Sequence, residues 1–136
     1  MGSSQLKFAL VLASGIGIGV LGAPLLYAQQ GMHRTEIQRA DLTGVNGTEV
    51  VMGLLEIAPG TTIPRHIHHG DEFSYVLEGG MVEPPGQAPT ELKAGTPIHY
   101  AREVPHGGAK VVGDKPIKIL TVHIVDKGKP LSDEVK

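Results

Sequence analysis

The sequence contains no cysteine and no tryptophan among its 136 residues, and only three tyrosines and two phenylalanines. Without cysteine the chain can form no disulfide, no thiolate zinc site and no thiol nucleophile. We therefore expect the folded part to take its stability from an apolar core and from any metal ion that it binds.

The chain also lacks a large excess of charge of either sign, with 12 basic and 14 acidic residues and a formal net charge of −2. Its basic residues are scattered along the sequence, whereas a nucleic-acid surface needs them gathered in a patch or a stripe. Nucleic acid is therefore not an expected partner, and a small molecule is.

Charged residues are scarcest at the N-terminus. Lys7 is the only one before Arg34, and residues 8–26 form an uncharged, mostly apolar stretch followed by Ala28. This pattern predicts a secretory signal over residues 1–28. The alternative is an uncleaved membrane anchor over residues 8–26, although the glycines and the proline in that stretch weaken a spanning helix. Either interpretation places the folded domain outside the cytoplasm, for example in the periplasm, and at a membrane only if the segment is retained.

Long helix-forming runs are missing from the rest of the chain. Short apolar runs separated by Gly, Pro, Asn and Asp indicate an all-β domain over residues 35–126, between a linker at 29–34 and a loose polar tail at 127–136. The predicted strands are Glu36–Ala40, Glu49–Ala58, Ile63–His68, Glu72–Glu78, Met81–Glu83, Thr90–Lys93, Pro97–Ala101, His106–Val112 and Ile117–Val125. Antiparallel strands of this number and length predict a double-sheet jelly roll.

Histidines concentrate in one short segment of this domain. His66 and His68 are two residues apart, so in a strand they share a face, while His69 faces away. A short turn at residues 69–71 then allows the next strand to bring Glu72 to the same side. Two imidazoles and a carboxylate that converge with open coordination positions are the set that non-haem Fe(II) and related divalent ions use.

The same segment carries the pattern Gly-x5-His-x-His-x3-Glu-x6-Gly, filled by Gly60, His66, His68, Glu72 and Gly79. With this first motif the chain resembles the cupin superfamily, and in particular the single-domain, quercetin-dioxygenase-like cupins. The resemblance implies a double-stranded β-helix, the cupin form of the jelly roll.

The second cupin motif, Gly-x5-Pro-x-Gly-x2-His-x3-Asn, is only partly present. Gly95 and His106 stand at the required spacing, but Ala101, Glu103 and Lys110 replace Pro, Gly and Asn. The resemblance implies that His106 is the fourth metal ligand, reached through a turn that we expect to be shaped differently. Four such ligands leave one or two positions on a divalent ion. A nitrogen and oxygen set without sulfur favours Fe(II), Mn(II), Co(II), Ni(II) or Zn(II), among which affinity alone cannot choose, and iron or manganese is our prediction.

The alternation of side chains also predicts which residues of the strand that contains Glu72 face the cavity and which face outward. If Glu72 faces inward, Ser74 and Val76 line the cavity with it, and Tyr100 is a further candidate pocket residue. The opposite face carries three large apolar side chains, Phe73, Tyr75 and Leu77. That face is too apolar to be left in water, so we expect the N-terminal strands or a second subunit to cover it, and a homodimer is the prediction.

The resemblance implies a metal-dependent dioxygenase acting on a small oxygenated organic substrate, with Glu72 as metal ligand and also as catalytic base. Two alternatives stay open at this point. One is a module that binds or senses a small molecule, such as a sugar acid, or the metal itself. The other is a cupin lyase or isomerase.

Overall fold

The computed structural model describes residues 31–136. The predicted signal or anchor over residues 1–28 lies outside the described residues, as does the start of the predicted linker. Residues 31–136 contain ten strands and no α-helix, which confirms the all-β prediction. In this part of the chain no helix has the length and apolarity to span a bilayer.

The ten strands form three antiparallel sheets. Their bounds are β1 Met32–Asp41, β2 Thr48–Ile57, β3 His66–Ile67, β4 Gly70–Glu78, β5 Gly80–Glu83, β6 Thr90–Leu92, β7 Pro97–Tyr100, β8 Lys110–Val111, β9 Ile117–Asp126 and β10 Asp133–Glu134. The largest sheet has the order β1-β2-β9-β4-β7, and the smaller ones have the orders β6-β5-β8 and β10-β3. Neighbouring strands from distant parts of the sequence are typical of the jelly roll.

The centre of the large sheet is formed by β2 and β9, which pair over their whole length from Thr48 opposite Asp126 to Ile57 opposite Ile117. In both strands burial alternates at every residue, because successive side chains point to opposite faces. The core comprises Leu55, Ile57, Val111, Ile117 and Ile119. Val82 and Leu92 of the three-stranded sheet pack against it, so that sheet covers the inner face. Burial of each large aliphatic side chain stabilises the fold by about 1.5–3 kcal/mol.

The inner face becomes polar beyond this core. Farther along β9, Thr121 and His123 are fully buried, and the register of β4 places Ser74 opposite Thr121 and Glu72 opposite His123. The interior therefore has an apolar half that stabilises the barrel and a polar half that holds the functional groups.

Both ends of the domain extend beyond the predicted bounds. Strand β1 begins at Met32, inside the segment predicted to be a linker, because this segment pairs with the edge of β2. The segment 127–136, predicted to be loose, includes β10, which pairs with β3, and the Val135 amide donates to the Arg65 carbonyl. This pairing satisfies backbone groups of β3 that would otherwise lack a partner.

Candidate metal centre

The structure brings the four predicted ligands together. One ligand atom from each of His66, His68, Glu72 and His106 lies within 4.8 Å of the others. The two motifs are joined through the backbone, since the amide of His66 donates to the carbonyl of His106 (2.9 Å) and the amide of His106 donates to that of His66 (3.0 Å). Glu72 enters from β4 in the large sheet, so two sheets contribute to one cluster.

Backbone carbonyls hold the three imidazoles in one tautomer. Each Nδ1 atom contacts a carbonyl oxygen: His66 contacts Pro64 (2.8 Å), His68 contacts Leu131 (2.5 Å) and His106 contacts Val104 (2.9 Å). Because a carbonyl oxygen can only accept, each Nδ1 must carry the proton. In the neutral form of each ring the Nε2 atom then presents a lone pair, and a fixed Nδ1–H is the usual support of a metal-binding histidine.

The contact between His68 and Glu72 fits a shared cation. The His68 side chain is 2% exposed, and its Nε2 atom lies 2.7 Å from Glu72 Oε2 without a hydrogen bond. His106 Nε2 lies 3.3 Å from the same oxygen. Lone pairs held this close in a buried place repel each other, and a divalent ion between them would convert the repulsion into coordination. The donor set and its geometry therefore fit a first-row divalent metal.

The pKa shifts of Glu72 and His66 favour the metal-binding forms. For His106, burial alone would lower the pKa, but the contact with Glu72 outweighs burial and raises it, so a metal ion must displace a proton there. Burial alone would raise the pKa of Glu72, but its contacts with His106, His68 and Ser74 outweigh burial and hold this pKa far below its usual range. Ser74 Oγ donates to Glu72 Oε1 at 2.5 Å and so orients the carboxylate. Burial lowers the pKa of His66. An ionised carboxylate and a neutral imidazole are the forms that bind a metal.

The turn before His106 keeps a glycine-like backbone. Glu103 stands where cupins have Gly, and its φ of 59° lies in the left-handed region that glycine favours. Its amide donates to the carbonyl of His68 at 3.0 Å, which links this turn to the first motif. We expected the turn to be shaped differently because Glu103 replaces the family glycine. At this torsion it is not, since Glu103 adopts the left-handed conformation despite the strain.

The three predicted pocket residues have different places. Ser74 is buried and bonded to Glu72. Tyr100 is half-buried and opposite Glu72 in the β4–β7 ladder, and its ring stacks on His106 with a centroid distance of 3.8 Å. Val76 was predicted to line the cavity, but it has no exposed surface, so it belongs to the packed interior. Alternation predicts which face a side chain takes but does not predict its depth.

Two groups beside the cluster were not predicted as site residues. The His123 ring is fully buried, lies 4.5 Å from the His68 ring between centroids, and has its pKa lowered to about 3 by burial. Arg34 Nη1 donates to Thr121 Oγ1 (2.8 Å) and contacts His123 Nε2 (3.1 Å). The alternation of β9 does place His123 on the inner face with Ile117 and Ile119. Arg34 carried no such signal, because it was assigned to the linker.

The pattern that describes the cupin domain matches residues 53–123, just over half of the chain. The chain belongs to the cupin family. It is 33% identical over 70 residues to the dimethylsulfoniopropionate lyase DddW of Ruegeria pomeroyi, a match that covers 48% of this chain and 46% of the lyase. The chain thus spans less than half the length of this curated relative.

Solved structures of cupin fold resemble the whole domain. The polyketide cyclase RemF of Streptomyces resistomycificus has a TM-score of 0.57 at 23% identity, over 79% of this chain and 72% of the cyclase. The DMSP lyase DddQ of Ruegeria pomeroyi has a TM-score of 0.56 at 17% identity, over 80% of this chain and 55% of the lyase. At these identities the likeness shows the fold, which agrees with the predicted jelly roll.

Proposed function

We propose that this cupin is a metal-dependent enzyme that acts on a small oxygenated organic molecule, and that its reaction is an elimination of the lyase type. The observation that carries the proposal is the convergence of three imidazole Nε2 atoms, fixed by carbonyls, on the ionised carboxylate of Glu72. Support for a lyase comes from the similarity to a curated dimethylsulfoniopropionate lyase.

His66, His68, Glu72 and His106 would hold the ion, for which iron or manganese is proposed. A bound divalent ion supplies Lewis acidity to an oxygen of the substrate. Because the pKa of Glu72 is held low, its carboxylate stays ionised but is a weak base, so its environment favours the ligand role over the predicted role of catalytic base.

Tyr100 is the pocket residue that we propose for proton transfer. Its ring stacks on His106 and it faces the cavity beside Glu72, yet it is not one of the four clustered ligands. Burial and the charge of Glu72 raise the pKa of Tyr100, so its hydroxyl keeps its proton until a nearby positive charge offsets these effects. Tyr100→Phe is expected to reduce turnover with the metal content unchanged.

A dioxygenase is the second candidate function, because a sulfur-free set of three imidazoles and one carboxylate also suits iron that activates dioxygen. One experiment separates the candidates. The protein is loaded with Fe(II), Mn(II), Co(II), Ni(II) or Zn(II), supplied with dimethylsulfoniopropionate, hydroxy acids or enolizable diketones, and assayed with and without oxygen. Release of dimethyl sulfide and acrylate without oxygen supports the lyase.

The other outcomes of this assay assign the other functions. Product formation that requires and consumes oxygen replaces the lyase by the dioxygenase. Tight binding of one compound without turnover in any metal form assigns the chain to the binding and sensing class.

We also propose that the protein works outside the cytoplasm as a homodimer. The uncharged stretch at residues 8–26 supports export. The apolar outer face of the large sheet, where Phe73, Tyr75 and Leu77 are each 45–49% exposed, supports pairing with a second copy.

A further inference from the structure

Strand β1 presents two arginines whose surroundings differ. Arg39 is fully paired, since its Nη1 atom contacts Glu49 Oε1 at 2.5 Å and its Nη2 atom contacts Glu36 Oε2 at 2.9 Å. Arg34 forms no ion pair within residues 31–136, and the nearest acid that influences it is Glu72. The guanidinium of Arg39 therefore has its counterions, and that of Arg34 has no directly bound one within residues 31–136.

Within residues 31–136, Arg34 forms side-chain hydrogen bonds through Nη1 alone. Nη1 reaches the hydroxyl of Thr121 and the Nε2 atom of His123, both neutral groups without exposed surface. The Nε and Nη2 donors make no hydrogen bond in the part of the chain that the structure describes. Arg34 as a residue is exposed although its Nη1 end is packed among buried side chains. The Nη1 atom of Arg34 is thus held in place, while the residue as a whole keeps exposed surface.

Gly53 and His123 lie against the Arg34 guanidinium. A Cβ atom at Gly53 would lie 3.4 Å from Arg34 Nη1 and 3.2 Å from the carbonyl oxygen of Thr35. Gly53 therefore lies directly beside the guanidinium, and an added Cβ would be tight against the Thr35 carbonyl rather than against Arg34. His123 accepts from Arg34 through Nε2, so its Nδ1 carries a proton, and this buried N–H has no partner within residues 31–136. The fully buried His123 ring joins Arg34 to the metal cluster, because it also contacts the His68 ring.

The charged groups around Arg34 and the metal cluster favour a bound anion. Glu49 and Glu36 pair with Arg39, and Glu72 belongs to the metal cluster. A divalent ion together with Arg34 would leave this side of the cavity with more positive than negative charge. Unpaired charge in a partly buried place is costly, and a planar guanidinium with two free donors matches a carboxylate.

We propose that Arg34 anchors the carboxylate of the ligand through its Nε and Nη2 donors, so that the site beside His123 takes a short-chain carboxylate. The substrate class deepens the proposed function and rests on it. Charge-assisted hydrogen bonds from both free donors would fix the orientation of the ligand. Thr121 and His123 act as positioning residues for the guanidinium.

The test uses propionate and its neutral counterpart propionamide as probes. Each is titrated into the Zn(II)-loaded and the metal-stripped protein, and binding is followed by NMR shifts of Arg34, Thr121 and His123. Propionate is expected to bind in both states and propionamide to bind in neither. Arg34→Gln should weaken propionate binding by roughly 10- to 100-fold, the loss expected for hydrogen bonds to a charged group. Arg34→Lys should lose less affinity for propionate, because lysine keeps the positive charge but lacks the planar pair of donors of the guanidinium.

Arg39→Lys is the matched control, because Arg39 lies on the same strand but already has two carboxylate partners, and propionate binding should not change. Unchanged binding in Arg34→Gln and Arg34→Lys, or equal binding of propionamide, would overturn the inference. Binding only to the Zn(II) form would also overturn it, since the metal would then be the anchor. If Arg34-dependent binding is found but no compound turns over, the carboxylate site stands and the proposed enzyme function fails.

Discussion

The two faces of the large sheet come from the same strands and have opposite chemistry. On β4 the inward residues Glu72 and Ser74 are buried and hydrogen-bonded, whereas the outward residues Phe73 and Tyr75 are 45% and 49% exposed. The period of two in a strand makes this possible, because one residue serves the cavity and the next serves the outer surface. The proposed ligand binding and the proposed assembly are therefore separable, and a substitution on one face should leave the property of the other face unchanged.

The largest expected effect comes from removing a metal ligand on the inner side. His68→Ala should lower metal affinity by more than roughly 100-fold, because loss of an outer-shell partner alone costs 10- to 100-fold. The barrel should stay folded, since the apolar half of the interior does not depend on the metal. Metal content after dialysis and circular dichroism measure the two properties.

The outer face provides the control for this variant. His99 is exposed and stacks on Phe73 at a centroid distance of 4.4 Å. His99→Ala should therefore keep the full metal content. An unfolded His68→Ala protein would instead show that the centre is structural, and the enzyme proposal would lose its support.

Deletion of the C-terminal segment tests how much the metal centre depends on residues that are distant in the sequence. Deleting residues 131–136 removes the Leu131 carbonyl that accepts from His68 Nδ1 and the Asp133 carboxylate 2.7 Å from His69 Nε2. We expect metal affinity to fall by about 10- to 100-fold, as for other supporting contacts of ligands. Titration with Zn(II) against a competing chelator measures it. An affinity equal to that of the full chain would mean that the segment only covers the site.

The parts of the site that follow local rules could be predicted from the sequence. His66, His68 and Glu72 lie close together in the sequence, so their spacing was enough to predict that they converge, although β3 ends at Ile67, before His68. The family resemblance added His106. Arg34 and His123 are 89 positions apart and meet only because β1, β2 and β9 pair in a particular register. No local pattern encodes that register, and the pairing of β10 with β3 was missed for the same reason.

Breaking the outer face should affect assembly alone. Tyr75→Asp places a charge at the centre of the apolar face, and we expect it to raise the dimer dissociation constant at least roughly 10-fold, as for loss of a buried aromatic contact. Light scattering coupled to size exclusion measures the mass, and metal content should remain that of the wild type. A monomeric wild-type chain would contradict the homodimer proposal.

The smallest effect is expected at a residue that belongs to neither face. Glu103 holds a left-handed φ of 59°, a conformation that costs an L-residue roughly 1–2 kcal/mol and glycine much less. Its carboxylate provides little compensation, because it is exposed and lies 3.8 Å from His69 Nδ1. Glycine also loses more backbone entropy on folding, which offsets part of the gain. Glu103→Gly should therefore raise the free energy of unfolding by at most about 1 kcal/mol, measured by urea denaturation, with metal affinity and oligomeric state unchanged. A loss of stability would show that the Glu103 side chain supports the turn that carries His106, and that the residue in place of the family glycine contributes to the site.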